Sequence, residues 1–157
     1  MKEVAASQDN KIRSCMSSDL KRIEEIEALS FDDPYPLSLF RNLLGEYPWG
    51  FRVATAGDFI AGYCILVRTN VESSLMIASI AVDPVFRMKG VGTRLVEDAI
   101  SISKTQGKRR IVLQVRENNE VAISLYSKIG FKSKSLIADY YGVGRDALEM
   151  SIDISGH

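Results

Sequence analysis

Apolar residues along this chain recur at two periods, and their order predicts its architecture. Residues 11–16 read as a short strand, followed by a helix with Ser17 or Ser18 as its cap. Leu20, Ile23, Ile26 and Ala28 or Leu29 would form that helix's inner side. Asp32-Asp33-Pro34-Tyr35-Pro36 interrupts it, because each proline disfavours helical geometry at the residue before it. A second short helix is expected over 37–44. Residues 51–55 and 59–67 read as paired strands around the turn Ala56-Gly57-Asp58, and the apolar run 75–82 as a further strand.

From Gly90 to about Gln106 the pattern becomes helical, with Val91, Leu95, Ala99 and Ile102 in register and Val96 and Ile100 broadening the stripe. Gly107 is placed to end this helix. A strand over 110–116 leads to a helix whose Ala122, Leu125, Tyr126 and Ile129 share a face, with Gly130 as its stop. Two closing strands, near 131–138 and 146–154, are joined by residues 139–144. This mixture predicts an α/β or α+β fold on one central sheet.

Composition narrows the class. A chain of 157 residues suits one domain with a sizeable core, expected over 11–157 with residues 1–10 as a frayed lead-in. Twenty basic residues balance twenty acidic ones, which argues against a dedicated binder of nucleic acid or of anionic membrane. No apolar run is long enough to span a bilayer, and the N-terminus lacks a secretory signal's apolar segment. Cys15 and Cys64 lie in apolar strand-like runs and read as buried thiols. The expectation is a cytoplasmic protein, a monomer or weak dimer.

Gly90 and Gly92 stand between a strand and a helix start. There, bare backbone amides and the helix dipole favour an anion, with Arg87 and Lys89 adding charge. A lone Gly-x-Gly is equally consistent with a tight turn. A Walker loop would need Gly-Lys-Ser/Thr where Gly92-Thr93-Arg94 stands, and a dinucleotide fingerprint would need glycine at Leu95.

Arg87-x-x-Gly90-x-Gly92 after the 75–82 strand resembles the Gln/Arg-x-x-Gly-x-Gly/Ala motif of the GCN5-related N-acetyltransferase (GNAT) family. So does Asn119-x-x-Ala122-x-x-Leu125-Tyr126-x-x-x-Gly130-Phe131 further along. The resemblance implies a single domain with a mixed, mostly antiparallel sheet of about six to seven strands and about four helices. It implies acetyl-CoA as co-substrate and no metal. The amides of Met88, Lys89, Gly90, Val91, Gly92 and Thr93 would hold the coenzyme pyrophosphate, and the backbone of Ile80, Ala81 and Val82 the pantetheine arm. The Val82 amide would polarise the thioester carbonyl. Tyr126 would protonate the leaving thiolate, since a phenol of pKa about 10 suits that task. Asn119 would bond the coenzyme, although capping the helix is an equally good local use. A core aromatic is the alternative for Tyr126.

Relatives place Glu or His as general base where this chain has Gln114, which can orient a water but not take a proton. The sole histidine, His157, reads as a solvated tail. An α-amine titrates near 7.7–8.0 and a lysine near 10.4, so the neutral fraction at pH 7 favours the α-amine by about 10²–10³. A weak base is therefore better tolerated at a peptide N-terminus.

Further segments resemble the RimI/Ard1 branch of protein N-terminal acetyltransferases: 31–36, 114–119, and Tyr140-Tyr141 with Asp146-Ala147-x-x-Met150. That likeness implies a peptide slot formed by Phe31, Asp33, Tyr35, Tyr140 and Tyr141, with Asp33 as base or water-positioner. Turn chemistry beside proline is the alternative for Asp33, and hairpin packing for the tyrosines. The implied partners are protein or peptide N-termini, ribosomal proteins among them, with no nucleic acid and no membrane. Transfer to lysine or to a small amine, or a degenerate acyl-CoA-binding module, are the competing readings.

Overall fold

The computed structural model describes residues 10–156. Residues 1–9 and His157 lie outside it, and with them most of the expected lead-in and the expected solvated tail. The strands are β1 (Asn10–Ser14), β2 (Phe51–Ala56), β3 (Phe59–Arg68), β4 (Ser74–Val82), β5 (Arg110–Arg116), β6 (Lys132–Ile137) and β7 (Ala147–Asp153). The helices are α1 (Leu20–Ser30), α2 (Leu37–Glu46), α3 (Val91–Thr105) and α4 (Glu120–Ile129). Among the described residues the seven strands hydrogen-bond in the order β1-β2-β3-β4-β5-β7-β6, a mixed α/β sheet. Every element matches an expected one, with ends shifted by a residue or two.

Packing divides the chain into two compact units. The first runs to Leu66 and includes Ser79–Ala99. Its β2 pairs antiparallel with β1 and β3. Phe40 of α2 is fully buried, with its ring 5.9 Å from those of Tyr35 and Tyr63 and 6.3 Å from that of Phe51. Such tilted aromatic contacts anchor the helix and the loop before it onto the sheet.

The start of α1 differs from expectation. Neither Ser17 nor Ser18 caps it; both lie in a 3-10 turn over Ser17–Asp19. Asp19 instead accepts the Met16 N–H at 2.8 Å and is gripped by Arg13 at 2.7 and 3.1 Å. An ionised carboxylate is the stronger acceptor, and Arg13 fixes it in place. The fourth inward residue is also different. Ala28 and Leu29 are both exposed, and Glu27, only 2% exposed, takes the inner position beside Leu20, Ile23 and Ile26.

The second unit comprises Val67–Ala78 and continues from Ile100. Here β4 runs parallel to β5, from Ser74 opposite Arg110 to Ile77 opposite Leu113. β7 lies antiparallel between β5 and β6. Helix α4 ends at Gly130, whose φ of 126° a side chain would resist. The turn sends the Gly130 and Phe131 amides back to the Tyr126 carbonyl at 3.1 and 3.0 Å. Phe131 thereby packs on the Tyr126 ring, 5.8 Å between centroids.

Within the first unit, Gly62 of β3 permits a close approach to the end of β4. A Cβ there would stand 2.7 Å from the Ala81 carbonyl oxygen and 3.3 Å from the Val82 Cα. Gly62→Ala is expected to lower the unfolding free energy by about 1–3 kcal/mol, measured by urea denaturation.

Candidate functional site

In the first unit the expected anion turn is built from its local sequence. Asp83 closes β4; its N–H reaches the Ala61 carbonyl at 2.8 Å and its carboxylate accepts the Val85 N–H at 2.9 Å. Phe86 is buried and pins the turn over Pro84–Phe86. Met88 and Gly90 then adopt left-handed φ values of 65° and 80° on either side of Lys89. For methionine this conformation costs of order 1–2 kcal/mol, the kind of strain found where backbone amides are aimed at a ligand. The first intrahelical bond of α3 runs from the Arg94 N–H to the Gly90 carbonyl at 3.1 Å. The amides from Met88 to Thr93 therefore precede the hydrogen-bonded helix.

Two observations fit an anionic ligand here. No atom lies within 4 Å of the point where a Gly90 Cβ would stand, so the turn is open above its backbone. Arg94, on the first turn of α3, keeps a buried Nη2 that has no hydrogen-bond partner among the described residues. Arg87 is held by neighbouring elements. Its Nε donates to the Val82 carbonyl at 3.0 Å and its Nη2 to Ser30 Oγ at 3.3 Å. It braces the end of β4 against the end of α1.

The loop over 31–36 belongs to the same unit. Phe31 and Asp33 are exposed and Tyr35 is half-buried. One residue that the sequence reading missed governs this loop. Glu27 Oε2 accepts the Tyr35 N–H at 3.0 Å, while Oε1 accepts the Tyr63 hydroxyl and, at 3.2 Å, that of Ser79. Burial, reinforced by the Glu27 charge, pushes the Tyr63 phenol well above its ordinary value, so it stays protonated and donates. The missed signal was positional: Glu27 follows Leu20 by seven residues and Ile23 by four, on the apolar stripe itself.

The second unit carries the remaining candidates. Tyr126 is buried against Phe131. Asn119 does cap α4, its side-chain oxygen accepting the Ala122 N–H at 3.1 Å. Tyr140 and Tyr141 stack edge-on with centroids 4.9 Å apart. Their loop is tied by Asp139, in a left-handed conformation, which accepts the Gly144 N–H at 2.7 Å and donates its own to Asp146 at 2.9 Å. Gln114, half-buried on β5, donates to Glu149 of β7 at 3.3 Å. Cys15 and Cys64 are free and buried, as expected; burial pushes the Cys15 thiol up to about 12 and Cys64 higher still.

The sequence profile of the Acetyltransferase (GNAT) family matches residues 20–131. The chain belongs to the GNAT acetyltransferase family. It is 33% identical over 155 residues to the N-alpha-acetyltransferase of Saccharolobus solfataricus, covering 91% of this chain and 92% of that one. It is 32% identical over 149 residues to the ribosomal protein bS18-alanine N-acetyltransferase of Salmonella typhimurium, covering 93% and 99%. Among solved structures, Ard1 of Thermoplasma volcanium superposes with a TM-score of 0.88 at 28% identity, over 92% of this chain and 97% of that one. This GNAT chain is thus an acetyltransferase, N-alpha-acetylating by homology to the RimI/Ard1 type. No helix among the described residues is long and apolar enough to cross a membrane.

Asp83 also gives the GNAT turn a pH signature. Burial alone would raise its carboxyl, but the bonds from the Val85 amide and Arg22 outweigh this and hold it below its ordinary 3.8. Its stabilising effect is therefore present above the unfolded value and lost as pH falls through the lower folded one. Asp83→Asn is expected to reduce the unfolding free energy at neutral pH by roughly 1–3 kcal/mol. The gap from wild type should narrow as pH falls below the ordinary 3.8 and through the lower folded value, as read by urea denaturation over the acid range.

Proposed function

We propose that the enzyme transfers the acetyl group of acetyl-CoA to the free α-amine of protein N-termini by direct attack in a ternary complex. The observation that carries this reading is the turn in which left-handed Met88 and Gly90 open the amides before α3 to an anion. In this proposal the backbone from Met88 through Val91, Gly92 and Thr93 binds the coenzyme pyrophosphate, with Arg87 and Lys89 supplying positive charge. Ile80, Ala81 and Val82 pair with the pantetheine arm, and the Val82 amide polarises the thioester carbonyl. Gly62 and Arg87 keep that strand end in register.

Tyr126 is the general acid for the leaving thiolate. Asn119, its oxygen committed to the cap, offers its amide nitrogen to the coenzyme. Phe31, Asp33, Tyr35, Tyr140 and Tyr141 line the peptide slot, with the Asp33 carboxylate drawing in the terminal ammonium. Gln114 orients a water for proton removal. Free thiols held neutral by burial suit direct transfer without an acyl-enzyme. The named substrate of the Salmonella relative makes ribosomal-protein N-termini the first class to try, with alanine or another small residue leading.

Acetyl transfer to short peptides beginning Ser, Ala, Met-Leu and Met-Glu checks the substrate, each with a free or blocked N-terminus and one internal lysine. Product is expected only on free N-termini; product on blocked peptides would move the activity to lysine. Tyr126→Phe should lower kcat by about 10²-fold or more while acetyl-CoA affinity, read by calorimetric titration, is retained.

A further inference from the structure

We propose that Glu149 of β7 is the general base, with Gln114 as the residue that positions it. The reaction needs a proton acceptor; an amide at Gln114 cannot serve, and the exposed Asp33 is given to drawing in the ammonium. The antiparallel register of β5 and β7 sets Gln114 directly opposite Glu149. Directly opposed residues project from the same face of the sheet. The Gln114 Nε2 bond to Glu149 Oε1 realises that pairing, and both side chains are half-buried. Their neighbours Leu113 and Met150 are opposed in the same way and fully buried on the other face.

The carboxylate and the amide thus occupy one cross-strand pair. A carboxylate on either strand would serve the same spot, and here it is on β7. The charged residues sharing this face are Arg110 and Arg116 on β5 and Asp153 on β7. From β6, Ser135 lies opposite Glu149 and Lys132 opposite Ser151.

The inference rests on the proposed reaction at an α-amine. Glu149, through a water, takes one proton from the substrate ammonium and later releases it to solvent. The neutral amine attacks the thioester carbonyl carbon, forming the N–C bond. Collapse of the tetrahedral adduct breaks the C–S bond, and Tyr126 gives its proton to the thiolate. The second amine proton returns through water to Tyr126. The net change is one amide, one thiol and one proton released.

The test compares wild type, Glu149→Gln, and the exchanged pair Gln114→Glu/Glu149→Gln, on a peptide with a free N-terminus. Glu149→Gln is expected to lower kcat by about 10²-fold or more, with the KM for acetyl-CoA within about twofold. The exchanged pair should recover most of the lost rate, because it restores one carboxylate to the same cross-strand site. A Glu149→Gln enzyme with kcat within about twofold of wild type overturns the proposal. If Glu149→Gln does not fold, Glu149→Ala is read in its place by the same kcat criterion. Wild type acting only on lysine would sink the α-amine reading instead, a result separable from any effect at Glu149.

Discussion

One buried carboxylate organises the first unit. Glu27 stands on the apolar stripe of α1, where burying an unpaired charge would cost several kcal/mol. The chain meets that cost by surrounding it with donors from three other segments: Tyr35 of the loop, Tyr63 of β3 and Ser79 of β4. Removing any one of them would leave the others imperfectly satisfied, so helix, loop and strands are held to one arrangement. Arg22 on Asp83 and Arg87 on Ser30 repeat the tie near the two ends of α1. The helix therefore links the loop that bears Asp33 to the strand end that bears Val82.

A second constraint is the spacing of backbone rather than side chains. Gly62 lets β3 lie against Ala81 and Val82 closer than any Cβ would allow. Beyond Val82 the chain passes directly through the Asp83 cap into the strained turn at Met88 and Gly90. Strain at a non-glycine residue is stable only where its surroundings overdetermine it. Buried Phe86 on one side and α3 on the other supply that restraint. In the second unit, Gly130 has the corresponding role, folding Phe131 back to hold the Tyr126 ring.

Much of this was legible in the residues themselves. The alternation of periods marked every strand and helix, because apolar spacing follows from which face each element buries. The glycines at 90 and 130 and the prolines at 34 and 36 punctuate the chain through covalent geometry, which is local. The acetyl-transfer family was readable for the same reason: its motifs are short runs whose backbone shape depends on their own residues.

What only the tertiary structure decided were partnerships across distance. Asp19 rather than a serine caps the first turn, because Arg13 on β1 lies in reach of it. The inward position taken by Glu27 depends on donors eight, thirty-six and fifty-two residues away, which no local pattern announces. Arg87 meets Val82 and Ser30, a pairing made by α1 packing alongside. Gln114 and Glu149, thirty-five residues apart, became one pair only through the β5–β7 register. Periodicity states which way a side chain faces; register and packing alone decide what it meets there.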